Sequence, residues 1–333
     1  MKRVTIKEVA ERANVAIGTV SRHLNSSGYV SHDAMLRIER AIKDLDYIPN
    51  AAARSMINKK GDIIGLTIPE INNPFLADLV VRFEAALTEM NYSVMLCNNQ
   101  YKSSKVADFI DDLITRDAEG LVLIATDIYD QQIIRKMKNY LCPIFIGHED
   151  KDFNSISSGD YQVAFDLTQH IINLNHQRIG FIGFNENARQ TMLRVEGYCA
   201  ALEAANLPIR KEYMLQSIAK YNDGYQLTKK LLMLEEAPTA IIAINDFYAM
   251  NAYSAISDFG LKVSQDISVA GFDDIFFAKL LSPTLTTVSF DSDILVKTAV
   301  KMLMNHIKNP SKEPENVMLP SHVVYRESTS RLK

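Results

Sequence analysis

Several apolar runs in the chain are followed by side chains that could bind a small polar ligand. Asn245 and Asp273 directly follow such runs, while Phe75 and Arg194 come shortly after others. An aromatic ring can stack on the apolar face of a sugar, and carboxylate, amide and guanidinium groups bind neighbouring hydroxyls. These residue types therefore predict a site for a sugar-like ligand.

Each of these polar side chains also has a structural interpretation. Asp273 could cap a helix, Asn245 could lie in a turn, and Arg194 could pair with a surface glutamate. Their shared position favours binding, because α/β sheets bind ligands beyond the carboxyl ends of their strands. Both interpretations stay open on the sequence alone.

The sequence lacks the motifs of common enzyme and metal sites. It has no GxGxxG, no glycine–lysine P-loop, no GxSxG and no HExxH. Its three cysteines, Cys97, Cys142 and Cys199, are far apart and form no CxxC pair. We therefore expect a protein that is not an enzyme and that needs no cofactor or metal.

The elements that hold the candidate residues follow from the hydrophobic pattern beyond Gly61. Short apolar runs alternate with stretches of helical period, which is typical of parallel sheets covered on both faces. The predicted strands are residues 63–68, 93–97, 121–125, 144–146, 179–184, 240–244 and 268–272, with a last strand over 316–325. Because this exceeds one sheet of typical size, we predict two doubly wound α/β subdomains.

The sequence pattern of residues 1–60 predicts a helical unit instead. Thr5 followed by Glu8 is a capping-box pattern, and apolar residues then recur at steps of three and four. After a break, a second short helix places Val20 and Leu24 on one face, and a third helical stretch follows. Two short helices joined by a tight turn indicate a helix-turn-helix. The alternative is a small α-hairpin buried in a larger core.

Charge favours the helix-turn-helix. Residues 1–60 contain eleven Lys and Arg against six Asp and Glu, a net charge of +5, whereas the rest of the chain has a net charge of −9. A basic module attracts phosphates whatever the base sequence. Nucleic acid is thus the expected partner of this end of the chain.

Residues 50–60 allow two interpretations. They contain three alanines after Asn50, a good N-cap residue, but isolated helices of two or three turns are marginal in water. They form either a plain linker or a hinge that becomes helical only when something holds it. In the second case Ala53 allows close approach to a surface, Met56 offers an apolar wedge and Arg54 offers a phosphate contact.

Targeting signals are missing from the sequence. No apolar run approaches the roughly 20 residues that a membrane-spanning helix needs. The first residues, MKRVTIKEV, lack the apolar stretch of a secretory signal. We therefore expect a cytoplasmic protein that has no membrane partner.

Several segments have highly specific patterns. They include TIKEVAERANV, TVSRHLN, RIERAIKDLDYIPNAAARSM, IGLTIPEINNPF, NHQRIGFIG, PTAIIAINDFYAM, DISVAGFDD and VYREST. In these segments the chain closely resembles the lactose-repressor/galactose-repressor (LacI/GalR) family of bacterial transcription factors, and the similarity covers essentially its whole length. The resemblance implies a homodimer that binds a near-palindromic double-stranded operator through an N-terminal three-helix helix-turn-helix domain. It also implies a periplasmic-binding-protein-like core that binds a small effector between two subdomains.

The resemblance further implies which residues contact DNA. Ile17, Gly18 and Arg22 take the base-contacting positions of the recognition helix. The residues that would touch or frame backbone phosphates are Thr5, Thr19, Ser21, Asn25 and Tyr47. The residues that match the family's hinge helix, which inserts an apolar wedge into the minor groove, are Asn50, Ala53 and Met56. Because Ala16, Ile17 and Gly18 offer no polar side chain, direct base contact would depend mainly on Arg22.

In the core, the resemblance implies an effector site. Its residues are Phe75, Arg194, Asn245 and Asp273, with Gln190 and Asp160 as weaker matches. Many relatives have an aromatic residue where the spacing places Ala219, and Tyr221 could replace it. No leucine heptad follows Arg326, so a dimer is expected rather than a tetramer. The expected domains are a DNA-binding domain (1–49), a hinge (50–60) and a core (61–333), whose subdomains are about 61–160 plus 291–325 and about 161–290.

The expected function is that of a sequence-specific regulator, a repressor of a carbohydrate-use operon that a sugar or sugar phosphate releases from DNA. A corepressor-dependent regulator that uses a purine or a phosphorylated carrier protein has the same fold and the opposite response. An enzyme with a DNA-binding appendage is the rival from a different class, and the missing catalytic motifs count against it.

Overall fold

The structure, a computed structural model, describes residues 4–24, 28–47, 61–147, 149–186, 188–217 and 222–332. The chain divides into two compact units, Met1–Gly61 and Asp62–Lys333. The smaller unit is helical, whereas the larger one contains two six-stranded sheets.

The smaller unit, which we call the headpiece, contains three helices: α1 (Ile6–Ala13), α2 (Ile17–Leu24) and α3 (His32–Asp44). Thr5 and Glu8 form the predicted capping box at the start of α1. The buried apolar residues that these helices share are Val9, Ala10, Ala13, Val20, Ile38, Ala41 and Tyr47. The headpiece therefore has a small core of its own.

The first sheet is entirely parallel. Its strands are β1 (Ile63–Ile68), β2 (Ser93–Asn98), β3 (Gly120–Ile124), β4 (Cys142–Ile146), β5 (Asn154–Ser157) and β11 (Asn316–Met318). They are arranged in the order β11-β5-β4-β3-β1-β2. The central strands β3 and β4 are buried along their whole length, as expected of a sheet covered on both faces.

The second sheet is parallel except at one edge. Its strands are β6 (Ile179–Phe184), β7 (Met214–Gln216), β8 (Ala240–Ala243), β9 (Ser268–Phe272), β10 (Thr286–Ser289) and β12 (His322–Val324). They are arranged in the order β12-β10-β9-β8-β6-β7, and β12 runs antiparallel to β10. The carboxyl ends of the parallel strands thus meet at one edge of each sheet, where ligands of α/β proteins bind.

Helices cover both sheets. They are α4 (Pro74–Thr88), α5 (Ser103–Thr115), α6 (Gln131–Tyr140), α7 (Asp160–Asn173), α8 (Arg189–Ala204), α9 (Asp223–Leu232), α10 (Asp246–Asp258) and α11 (Ser292–Lys308). Each of these helices follows a strand after a short loop, which brings their first turns to the same edge as the strand ends. Within the described ranges, no helix is both long and apolar enough to cross a membrane.

The predicted last strand, residues 316–325, is wrong as a single element. It consists of β11 in the first sheet and β12 in the second, and Pro320 lies between them. Proline lacks the N–H group that a central strand position needs, so the chain leaves one sheet there and joins the other. The first subdomain therefore does not extend to residue 325 as expected, because residues 322–324 pair within the second sheet.

Candidate functional site

Helix α2 presents an open surface in the headpiece. Ile17 is 47 % exposed, and beyond the chain neighbours and backbone of the helix itself no described atom lies within 4 Å of the position that a Cβ of Gly18 would occupy. The side chain of Arg22 is exposed, and its Nε donates a hydrogen bond to the carbonyl oxygen of Gly18 at 3.2 Å. The three predicted base-contacting residues therefore lie together on one accessible side of α2.

Arg22 keeps most of its guanidinium unpaired. Two other headpiece arginines have carboxylate partners: Arg12 lies 3.0 Å from Asp44, and Arg37 lies 3.5 Å from Asp33. Arg22 forms no ion pair with any residue that the structure describes. Its terminal nitrogens are thus available to a phosphate or to a guanine edge.

The predicted phosphate contacts have mixed surroundings. Thr5 is exposed but is engaged in the capping box, in which its backbone N–H donates to Glu8 Oε2 at 2.6 Å. Thr19 and Ser21 are half-buried on α2, and Tyr47 is buried in the headpiece core. The predicted contacts Asn25, Asn50, Ala53, Arg54 and Met56 lie outside the described residues.

In the larger unit, a cleft opens between the carboxyl ends of the two sheets. It contains about 1080 Å³ of space that atoms do not occupy, part of it open solvent. The predicted site residues that line it are Phe75, Gln190, Arg194, Asn245 and Asp273. Asp160 is not among the lining residues and lies behind Arg194, while Tyr221 is outside the described residues.

Arg194, on α8, is buried and held on several sides. Its Nε donates to Asp160 Oδ1 at 2.7 Å, and its Nη1 donates to the carbonyl oxygen of Ile244 at 2.6 Å. Its Nη2 lies 3.8 Å from Asp273 Oδ1, and the guanidinium carbon lies 4.4 Å from the centre of the Phe272 ring. The surface glutamate that was the alternative partner of Arg194 is thus not its partner.

Asp273 directly follows β9 in an unusual backbone conformation. Its φ is 105°, in the left-handed region that favours glycine, and its side chain is only 6 % exposed. Burial raises the pKa of Asp273 to about 7, although the charge of Arg194 acts in the opposite direction. A carboxyl group in this state can donate or accept a hydrogen bond near neutral pH, which suits a hydroxyl partner.

Asn245 has the structural role that the sequence left open. Its Oδ1 accepts a hydrogen bond from the backbone N–H of Tyr248 at 3.0 Å and so caps α10. No described residue accepts a hydrogen bond from its amide nitrogen, and the side chain lines the cleft. The cap therefore fixes the orientation of Asn245 without using its whole hydrogen-bonding capacity.

Aromatic rings form much of the remaining wall. Phe75 packs edge-on against Phe290, with ring centroids 5.4 Å apart. Tyr248 and Tyr101 also line the cleft, and sequence analysis selected neither of them, nor Phe290. Tyr248 lies in the first turn after the strand-end residue Asn245, and this position could have indicated it.

Gly183 makes room for Tyr248. This glycine has a φ of +92°, and a Cβ there would lie 2.6 Å from Cδ1 of the tyrosine ring. The Tyr248 hydroxyl lies 2.5 Å from Ser217 Oγ. Burial raises the pKa of Tyr248 to about 12, so the phenol is neutral and able to donate a hydrogen bond.

A hydrogen bond joins the two subdomains beside the cleft. Asp127, after β3 of the first sheet, accepts a hydrogen bond at 2.9 Å from the backbone N–H of Arg189, the first residue of α8. The N-cap residue of α8, Ala188, has no side chain that could cap the helix. Asp127 therefore supplies from one subdomain a cap for a helix of the other.

Models of known families match nearly the whole chain. Residues 5–50 match "Bacterial regulatory proteins, lacI family", and residues 61–328 match "Periplasmic binding proteins and sugar binding domain of LacI family". The HTH-type transcriptional repressor PurR of Actinobacillus pleuropneumoniae is 30 % identical over 98 % of this chain and 99 % of its own length. Catabolite control protein A of Priestia megaterium is 29 % identical over the same shares.

Solved structures show the same similarity. The lac repressor dimer bound to operator and the anti-inducer ONPF has a TM-score of 0.84 at 26 % identity, covering 99 % of this chain and all of that one. A LacI family transcriptional regulator from Enterococcus faecium with bound ribose has a TM-score of 0.72 at 28 % identity, covering 81 % of this chain and all of that one.

Proposed function

The chain belongs to the LacI family of bacterial regulatory proteins, and we propose that it represses carbohydrate-use genes and leaves its operator when a sugar or sugar phosphate binds the cleft. One observation mainly supports the sugar: Arg194, Asn245 and Asp273 meet at a cleft that also has aromatic walls. Guanidinium, amide and carboxyl groups can bind adjacent hydroxyls, while a ring covers the apolar face of the sugar.

For DNA binding, we propose that α2 enters the major groove and that Arg22 makes the principal base contact. Its exposed, unpaired guanidinium supports this assignment. Thr19 and Ser21 would contact phosphates, and residues 50–60 would form the minor-groove hinge. Thr5 and Tyr47 would act by holding α1 and the headpiece core, because both side chains already have structural partners.

We also propose that the protein acts as a homodimer, since a near-palindromic operator requires two headpieces. The larger unit exposes Phe276, Phe277 and Leu280, which are 73 %, 43 % and 63 % exposed. A patch of exposed large apolar side chains is typical of a protein–protein interface. The effector would favour one arrangement of the two subdomains and thereby change the spacing of the headpieces.

A thermal-shift screen over sugars, sugar phosphates and purines tests the ligand class. A ligand at 100 times its dissociation constant adds about 2.7 kcal/mol to the unfolding free energy, so it gives a clear shift. Asp273→Ala and Asn245→Ala should remove the shift while the operator is still bound in a gel shift at fixed salt. Full retention of the shift in both variants would place the ligand elsewhere.

A corepressor response is the second candidate. The aromatic walls formed by Phe75, Phe290, Tyr101 and Tyr248 also suit a planar purine base. The two candidates differ in the sign of the effect on DNA. Operator binding that strengthens when a purine is added would select the corepressor, whereas binding that weakens with a sugar would select the inducer.

A further inference from the structure

A histidine and an asparagine tie the end of α11 to one edge of the first sheet, away from the cleft. His306 lies in the last turn of α11, and its Nδ1 lies 2.5 Å from Nδ2 of Asn154, the first residue of β5. Asn154 Oδ1 accepts a hydrogen bond at 2.9 Å from the backbone N–H of Glu315, which directly precedes the edge strand β11. We propose that His306, Asn154 and Glu315 form a latch that holds the start of β11 only while the His306 ring is neutral.

The two hydrogen bonds of the latch fix the orientation of the Asn154 amide. A backbone N–H can only donate, so the amide atom that faces Glu315 is the oxygen. The amide nitrogen, which also can only donate, therefore faces His306. Nδ1 of His306 must then accept, and it can do so only when it carries no proton.

A second proton on the His306 ring breaks this arrangement. Nδ1–H would then face an N–H group of Asn154, and two donors form no hydrogen bond. The amide can turn its oxygen toward the ring, but its nitrogen then faces the N–H of Glu315. In either case the latch loses one of its two hydrogen bonds.

The surroundings of the ring also disfavour its charged form. Burial lowers the pKa of His306 from its ordinary value of 6.5, although a hydrogen bond with the backbone of Pro310 acts in the opposite direction. A small cavity beside the ring contains about 200 Å³ of unoccupied space, including open solvent, through which water can reach it. Because the pKa is lower in the closed latch, the latch is most stable above about pH 6.5 and loses stability as the pH falls below that value.

Histidine is the group near the latch that titrates close to neutral pH. The charged side chains that line the same cavity are Lys312, Glu313 and Glu315. In α4, β4 and β5, which pack most closely against α11, the ionisable side chains are Asp78, Arg82, Glu84 and Cys142. Lys312 pairs with Glu315, and Arg82 pairs with Asp293 in the first turn of α11, at the opposite end from His306. Carboxylates, amines and thiols ordinarily titrate outside the range between pH 5 and 8, so a change within it reports His306.

The latch lies on a connection between the two subdomains. Beyond β11, the N–H of Leu319 donates to the carbonyl oxygen of Ser157. Ser321 Oγ then donates to the carbonyl oxygen of Ser158, and the chain continues into β12 of the second sheet. An open latch therefore frees one end of a segment that links the two sheets.

Hydrogen exchange at residues 312–318 of the full-length protein tests the latch, because the Glu315 amide is one of its donors. Protection is expressed relative to the intrinsic exchange rate at each pH. We expect protection to fall at least threefold between pH 7.5 and pH 5.5. His306→Gln should abolish this change, since a glutamine oxygen can accept from Asn154 and does not titrate. His322→Gln, at an exposed histidine on β12, is the matched control and should keep the pH dependence.

Asn154→Asp should reverse the pH dependence. Both oxygens of the aspartate accept, so one keeps the N–H of Glu315 and the other accepts from the protonated ring. This raises the pKa of His306, and the stabilisation is then present below about pH 6.5 and lost as the pH rises. Protection in the unchanged protein that is equal at the two pH values, or that falls equally in His306→Gln, would overturn the inference, as would an unreversed trend in Asn154→Asp.

Discussion

The headpiece and the cleft place their functional side chains in opposite ways. In the headpiece, the candidate base contacts Ile17, Gly18 and Arg22 lie on one short helix, and Arg22 bonds only to the carbonyl of Gly18 within the described residues. In the cleft, Arg194 is held by Asp160, by Ile244 and by the ring of Phe272. The first site depends on local structure, and the second depends on distant parts of the chain.

This difference has an energetic consequence. An exposed side chain on a short helix can be changed with little effect on folding, because it has few buried contacts. Replacing a buried guanidinium that neutralises carboxylates destabilises the fold, because the carboxylates are left without a partner in surroundings that solvate charge poorly. Mutations should therefore separate binding from stability in the headpiece but not at Arg194.

The largest expected effect belongs to Arg194→Ala. The change leaves Asp160 and Asp273 buried without their partner, and breaking a buried ion pair costs about 3–5 kcal/mol. Urea unfolding followed by circular dichroism measures the loss. Arg189→Ala removes an exposed pair with Glu196 and should cost less than about 1 kcal/mol. Equal costs for the two variants would contradict the account of the cleft.

Arg22→Ala should instead affect DNA binding and leave stability unchanged. Loss of one good bidentate base contact reduces discrimination by about 1–3 kcal/mol. The measurement compares anisotropy titrations on the operator and on random duplex at one salt concentration. Arg12→Ala, which breaks only the surface pair with Asp44, is the control and should preserve the ratio of the two affinities. An unchanged ratio in Arg22→Ala would refute its assigned role.

Asp127→Ala tests the cap that one subdomain supplies to the other. Loss of an N-cap costs about 1–2 kcal/mol, and here the loss should loosen the first turn of α8. Hydrogen exchange of the amides at residues 189–192 reports it. In the control Asp130→Ala, the lost cap belongs to α6 in the same subdomain as Asp130, so only α6 should exchange faster. Unchanged hydrogen exchange at α8 in Asp127→Ala would show that this hydrogen bond does not stabilise the first turn of the helix.

The smallest expected effect is that of Thr5→Ala. The capping box at α1 is exposed, and its loss should cost about 0.5–1 kcal/mol. Faster hydrogen exchange should be confined to α1, with α7 of the larger unit as the internal reference. Destabilisation of the larger unit by this change would contradict a purely local role.

Local signals predicted much of the fold. The Thr5–Glu8 capping box and the apolar run of β1 are confirmed, because each depends on residues close in sequence. Strands β5, β7 and β10 were not predicted, since they have three or four residues and include polar ones. These strands form because neighbouring strands in the sheet pair with them, and the periodicity of the sequence does not show which strands become neighbours.

The site was predictable to the extent that it follows strand ends. Asn245 and Asp273 lie at the cleft because each lies just beyond the end of a parallel strand. Asp160 was selected as a ligand contact but lies behind Arg194, and only the folded structure shows which of two neighbouring polar groups is closer to the cleft. Tyr101 and Phe290 were missed because they lie between elements rather than at a predicted strand end.

One experiment tests the central claim most directly. Duplexes selected from a random library by the full-length protein provide the operator, and anisotropy then gives its affinity at fixed salt with and without the tightest-binding sugar. The account predicts a near-palindromic site whose half-sites are about 34–36 Å apart and whose affinity falls when sugar is added. A duplex affinity that does not depend on sequence, or that no sugar changes, would contradict it.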